Sequence, residues 1–283
     1  MTTSQPSVRT DFEAIHVEPL SPTVGAEITG FRMDGDVGPE QVAEIRRALV
    51  DWKVIFFRDQ DVEIDEHVAF GSLFGELEVH PFARSMEGHP EVLVIHHAAN
   101  SKGGQNDWHS DVTWRQEPSL GSILRAKIVP PVSGDTLFCD MNAAYEGLDE
   151  ATREQIDGLY AIHRFDRVFG TRLSDEERAE VLEKYPPARH PVVRTHPESG
   201  LKSLYVNQSF VSHIDGMENP EGKRLLQRLY RQASVPEYQV RFRWRVNSVA
   251  FWDNRAVQHY AAYDFFPQER RVERVTIVGD RPA

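Results

Sequence analysis

Between residues 240 and 246 the chain reads Val-Arg-Phe-Arg-Trp-Arg-Val, apolar and charged in strict alternation. A period of two puts the apolar side chains on one face and the arginines on the other, the pattern of a half-buried β-strand. Other segments carry strand signals: 53–58 (KVIFFR), a short 77–80 ended by Pro81, 93–97, 121–129, 136–139, 191–194, 203–210, 248–252 and 272–278. Helical spacing appears at Val42, Ile45 and Leu49 behind Pro39, at 65–75, and at Leu225, Leu226 and Leu229 behind Asn219-Pro220. The middle of the chain is polar and helical: 149–159, then a helix opened by the capping box of Ser174 and Glu177. Strands on both sides of a helical insertion around 140–190 predict a single domain over 14–283, after a loose polar segment 1–13. The fold class expected is mainly β with helical insertions, a rolled antiparallel sheet of jelly-roll type.

Composition narrows the function classes. The 283 residues are 40% hydrophobic and 27% charged, ordinary for a globular chain with a core. A net charge of −12 argues against a nucleic-acid surface, because a phosphate backbone needs a basic track. The single cysteine, Cys139, excludes an internal disulfide framework and a cysteine-rich zinc module. The N-terminus has no basic start leading into an apolar core, and no window approaches a membrane span; the expected location is the cytoplasm.

Chemistry concentrates in Trp108-His109-Ser110-Asp111-Val112-Thr113-Trp114. Read as a strand, this segment sends His109 and Asp111 off the same face, where an imidazole and a carboxylate could share a metal. Two histidines and one carboxylate, with positions left open, is the arrangement of non-haem Fe(II) oxygenases. The motif alone is weak, since a chain of this composition shows about two such matches by chance. The competing pairs sit in poorer contexts: His213 and Asp215 run into a turn, His89 and His196 precede proline, and His16 lies beside the loose N-terminus. In FWDNRAVQHY an apolar strand runs into a polar turn and delivers His259 as a second imidazole. Farther on, Arg270, Val272 and Arg274 share one strand face. Two guanidiniums on an inward face need anions, and their planar forks suit carboxylate or sulfonate oxygens. For the arginine pair alone, solvated side chains paired with Glu269 and Glu273 are the simpler reading.

Taken together, WHSDVTW, SGDTLF, FWDNRAVQHYA and RRVERVTIVGD, in this order, closely resemble the taurine/α-ketoglutarate dioxygenase (TauD/TfdA) family over residues 17–281. The resemblance implies a double-stranded β-helix, the jelly roll, with Fe(II) bound by His109, Asp111 and His259. It also implies that Arg270, with Thr136, holds the distal carboxylate of the cosubstrate α-ketoglutarate, with dioxygen completing the reaction. A sulfonate would be held by Arg274 and His80 beside Phe169 and Phe210. Gln105 stands where the family leads one to expect asparagine, and Ala83 where tyrosine is expected, which widens the pocket. The expected activity is hydroxylation of a small sulfonate such as taurine, releasing sulfite, with succinate and CO2 from the cosubstrate. The alternatives are an alkylsulfatase-type dioxygenase of the same family and, from another class, a metal-dependent hydrolase. The expected partner is a small anionic substrate, with neither nucleic acid nor membrane; monomer and homo-oligomer both stay open.

Overall fold

A computed structural model describes residues 11–81, 84–99, 106–170 and 173–283. In chain order these form β1 (His16–Pro19), β2 (Ala26–Thr29), α1 (Pro39–Trp52), β3 (Val54–Phe57), α2 (Ile64–Ser72), β4 (Ser85–Met86), β5 (His89–His97), β6 (Gly121–Ile128) and β7 (Thr136–Asp140). Next come α3 (Met141–Glu146), α4 (Glu150–Ile156), β8 (Tyr160–His163), α5 (Asp175–Lys184), β9 (Ala188–Pro191), β10 (Val193–Thr195), β11 (Lys202–Leu204), β12 (Val211–Ile214) and α6 (Pro220–Tyr230). The last strands are β13 (Gln239–Phe242), β14 (Val249–Asp253), β15 (Val257–Ala261) and β16 (Arg270–Ile277).

Eleven of the sixteen strands among the described residues pair into an eight-stranded sheet, ordered β1-β2-β3-β14-β6-β16-β5-β4, and a three-stranded sheet, β13-β7-β15. The two enclose a jelly-roll core. Strand β3 shows how the sequence builds it, since all four of its residues are buried. Val54 and Phe56 point between the sheets, where Phe56 stacks on Phe242 at 4.0 Å and meets Phe138 at 5.6 Å. Ile55 and Phe57 point the other way, into a second apolar layer under α1 and α2 with Ile45, Leu49, Trp52 and Phe70. Burying each such side chain contributes about 1.5–3 kcal/mol, so a strand with apolar residues on both faces belongs at the centre of a layered fold. Helix α1 starts at Pro39 as its N1 residue, and α6 is capped by Asn219, whose Oδ1 accepts the Gly222 N–H at 2.9 Å.

The elements depart from expectation in several places. The block around 140–190 is not purely helical. It contains β8, which joins β9 and β12 in a further three-stranded sheet, and an apolar core gathers Leu204, Val211 and Leu225 with Ala161. The strand expected over 203–210 stops at Leu204, because the Asn207 side chain accepts the Phe210 N–H at 2.9 Å and turns the chain. Strand β13 stops at Phe242; Trp244 remains buried, but Val246 is 53% exposed and Asn247, at φ 63°, turns into β14. At 77–80 no strand forms. Leu77 makes an isolated bridge to Ile277, and Glu78 turns inward to Arg115 at 2.8 Å. The 109–114 segment is also not a strand: His109 makes one bridge to His259, and a turn follows from Asp111.

Candidate metal centre and adjoining anion pocket

Strand β15 and the segment before β6 meet through a reciprocal backbone pair. The His259 N–H donates to the His109 carbonyl at 2.8 Å, and the His109 N–H donates back at 3.2 Å. The pair sets the two imidazoles 4.3 Å apart. Asp111 comes in beside them, its Oδ1 4.0 Å from His109 Nε2, and ligand atoms of all three residues lie within 4.8 Å of one another.

The donor chemistry fits a metal. His109 Nδ1 lies 2.8 Å from the Asp107 carbonyl, which can only accept, so the proton sits on Nδ1 and the Nε2 lone pair is left for a cation. Burial, reinforced by His109, lowers the His259 pKa to about 3, so its ring is neutral, and its Nδ1 has no hydrogen-bond partner among the described residues. For Asp111, burial alone would raise the pKa. Arg274, His259 and His109 together outweigh it and hold the carboxyl well below its usual range. Arg274 Nη1 donates to Asp111 Oδ1 at 2.7 Å, and the Ser122 hydroxyl donates to Oδ2 at 3.2 Å. The competing pairs are engaged elsewhere: His196 bonds Asp253 at 2.9 Å, Asp215 pairs with Arg189 at 2.6 Å, and His89 faces Asp65 and Glu91.

From this cluster a cavity of about 120 Å³ runs between the two sheets to Arg270. That is larger than one water, whose share of liquid volume is about 30 Å³. His259 and Arg274 line it together with Thr136 and Arg270, and Ile95, Leu124 and Val272 make it apolar in between. Arg270 is 5% exposed and has no carboxylate partner among the described residues. Burial lowers its pKa to about 10, which still leaves it charged at neutral pH. The surface alternative for the arginines therefore fails. Glu273 pairs with Arg125 and Arg271, Glu269 bonds His96, and Arg274 pairs with Asp111 instead of a glutamate. Gly134, at φ 74°, lets the loop before β7 pass over Arg270, where a Cβ would stand 3.4 Å from Arg270 Cδ.

Thr136 Oγ1 accepts the Trp244 indole N–H at 2.9 Å, so the hydroxyl proton is left to donate to something else. Alternation with the arginines marks Trp244 as inward, but no sequence signal gives it a role at the site. His97 likewise carries only a strand signal in the sequence. His97 lines the same cavity with Tyr263, whose hydroxyl is 2.7 Å from His97 Nε2. Nothing in a one-dimensional pattern joins residues 97 and 263.

On the other side of the cluster lie the residues expected at a substrate. His80 and Phe169 are 5.8 Å apart, Phe169 and Phe210 stack at 6.5 Å, and Phe210 is 6.5 Å from His109. Burial, then Arg274, lowers the His80 pKa to about 4. Arg274 Nε is buried with no hydrogen-bond partner among the described residues, so this guanidinium keeps donor capacity beyond its bond to Asp111. Gln105, Ala83 and the glycine-containing loop at 101–105 lie outside the described residues.

Comparison with known proteins places this architecture. Residues 16–276 match the family model described as "Taurine catabolism dioxygenase TauD, TfdA family". A Pseudomonas putida protein named alpha-ketoglutarate-dependent sulfate ester dioxygenase is 36% identical over 95% of this chain and 91% of its own. An alkylsulfatase of Acinetobacter baylyi is 33% identical over 95% of this chain and 86% of its own. Among solved structures, a taurine dioxygenase from Burkholderia xenovorans superposes with a TM-score of 0.82 at 39% identity, covering 96% of this chain and 93% of that one.

Proposed function

This chain belongs to the taurine catabolism dioxygenase (TauD, TfdA) family, and from that membership we propose an α-ketoglutarate-dependent dioxygenase acting on a small sulfur oxyanion, an alkyl sulfate ester or a sulfonate such as taurine. The observation that carries the reading is Arg270, a buried guanidinium without a carboxylate partner among the described residues, at the far end of a cavity that opens on the His109–Asp111–His259 cluster. An uncompensated buried cation is costly, so the pocket is built for an anion of the right length.

In this reading His109, Asp111 and His259 hold Fe(II). Arg270 takes the distal carboxylate of α-ketoglutarate with its planar fork, and the Thr136 hydroxyl donates a further hydrogen bond. The apolar cavity walls exclude water along the cosubstrate chain. When bound, the iron with α-ketoglutarate and dioxygen supplies the oxidation that hydroxylates the carbon next to oxygen or sulfur, with succinate and CO2 as co-products. Release of sulfate or sulfite from the hydroxylated carbon follows from the leaving group it carries. Arg274 and His80 receive the substrate's oxyanion, and Phe169 and Phe210 face its apolar part.

The sulfate ester takes first place of the two classes. The two relatives described above carry sulfate-ester names. Cys139, buried and unpaired, fits the reducing conditions of the cytoplasm. No helix of the described residues is long and apolar enough to cross a membrane.

Anaerobic addition of Fe(II) and α-ketoglutarate is expected to produce a visible charge-transfer band, which an alkyl sulfate then shifts. A band that sulfonates alone shift would reverse the order of the two classes. A band that neither shifts would remove the sulfur-oxyanion substrate, and no band in iron-loaded protein would remove the cosubstrate assignment.

A further inference from the structure

Val112 follows the cluster carboxylate Asp111, and its backbone lies in the left-handed region at φ 45°. It is the one β-branched residue with positive φ among the described residues. For such a side chain this conformation is an outlier, disfavoured roughly 5- to 30-fold relative to ordinary backbone. It persists only where the surroundings over-determine it.

Here they do so from both sides. On the Asp111 side the buried Asn254 carboxamide makes a two-point grip: Oδ1 accepts the Asp111 N–H at 2.6 Å, and Nδ2 donates to the Asp111 carbonyl at 2.9 Å. Asn254 is itself anchored, with Nδ2 3.0 Å from Ser119 Oγ and its backbone N–H on the Leu120 carbonyl at 2.9 Å. On the far side Thr113 is held by three buried residues. Its hydroxyl accepts from Asn207 Nδ2 at 2.9 Å and bonds His163 Nδ1 at 2.9 Å, and its carbonyl meets His190 Nε2 at 3.0 Å. The Val112 side chain packs with Trp114, Phe165 and Phe210, which explains its burial but not the paired grips on its neighbours.

We propose that Val112 is a strained pivot, that Asn254 and the Thr113 clamp lock it, and that Asn254 is thereby the positioning residue that aims the Asp111 carboxylate at the metal. The proposal rests on the reading of His109, Asp111 and His259 as metal ligands. If the lock is lost, Val112 relaxes to negative φ, and Asp111 swings away from the two imidazoles. A glycine at 112 would hold positive φ without help.

The test titrates Co(II) into the metal-free protein and follows its visible absorption, alongside the thermal midpoint of the same metal-free protein. Asn254→Ala is expected to raise the Co(II) Kd about 10- to 100-fold, the range for losing an outer partner of a ligand. Adding Val112→Gly to that variant is expected to recover roughly fivefold of the loss. A residue that merely fills the core would lower the midpoint and leave Kd within about twofold of the parent; that result, or a Kd that glycine does not improve, overturns the lock. Should Asn254→Ala fail to fold, Thr113→Val decides from the other side of the pivot at nearly constant volume. It should raise Kd about 3- to 10-fold, and an unchanged Kd overturns the lock. A parent protein that binds no Co(II) would overturn the metal reading itself, an outcome separate from a parent and variants that bind alike.

Discussion

Arg270 and Thr136 illustrate how single residues acquire a direction from their neighbours. Buried between Trp244 and Phe265, each ring 6.0 Å from its guanidinium carbon, Arg270 can satisfy its charge only along the cavity. Trp244 occupies one acceptor site of the Thr136 hydroxyl and so turns its proton outward. A hydrogen bond to a charged group contributes about 1.5–3 kcal/mol, so Arg270→Ala should raise the α-ketoglutarate Kd by at least about tenfold while leaving metal affinity in place. Trp244→Phe, which removes one neutral hydrogen bond, should raise the same Kd only about 3- to 10-fold. Both follow from anaerobic titration of the charge-transfer band. Equal affinity in Arg270→Ala and the parent would take Arg270 out of the pocket's function.

Strands β6, β14 and β16 are the elements that hold the two ends of the site in register. Strand β16 carries Arg270 and Arg274 on one face, β6 carries Ser122 to Asp111, and β14 leads into Asn254. Their packing leaves no slack at Gly121, the first residue of β6. A Cβ there would lie 2.5 Å from the Trp252 carbonyl oxygen and 3.1 Å from Phe251. The obstacle is backbone, which cannot rotate away. Gly121→Ala should therefore destabilise by about 1–3 kcal/mol, as overpacking does, and lower the melting midpoint by several degrees. An unchanged midpoint would mean that the two strands can separate at this end without cost.

At the scale of the whole molecule, burial of neutral histidines makes stability depend on pH. Burial lowers the pKa of His67 to about 3 and of His190 to about 4, and pushes His163 well below its usual value. The same rings in the unfolded chain titrate near 6.5. Below that value the unfolded state binds protons that the folded state refuses, so stability is full above about pH 6.5 and falls as the pH drops towards 4. Each ring costs about 1.4 kcal/mol per pH unit in that window. The midpoint of the metal-free protein should fall by several degrees between pH 7 and 5; a flat profile would mean that these rings are hydrated and titrate normally.

The amino-acid sequence by itself determined the strands whose apolar periodicity is local: β3, β6, β7, β14 and β16 fall where the pattern puts them, as do α1 and the capped starts of α5 and α6. It also marked His109, Asp111 and His259 through an ordered set of motifs, because their spacing is held within short segments. Where the chain leaves a strand was decided by tertiary contacts. Asn207 ends the run after Leu204 because its carboxamide has both a backbone N–H and the distant Thr113 to bind. The strand reading of 109–114 brought His109 and Asp111 together for the wrong reason. A bridge to His259 and the grip of Asn254 on the Asp111 backbone, from 143 residues away in the chain, hold them instead. Periodicity reports the side on which a residue is buried. It carries no record of the partner across the core, and at this site the partners set the geometry.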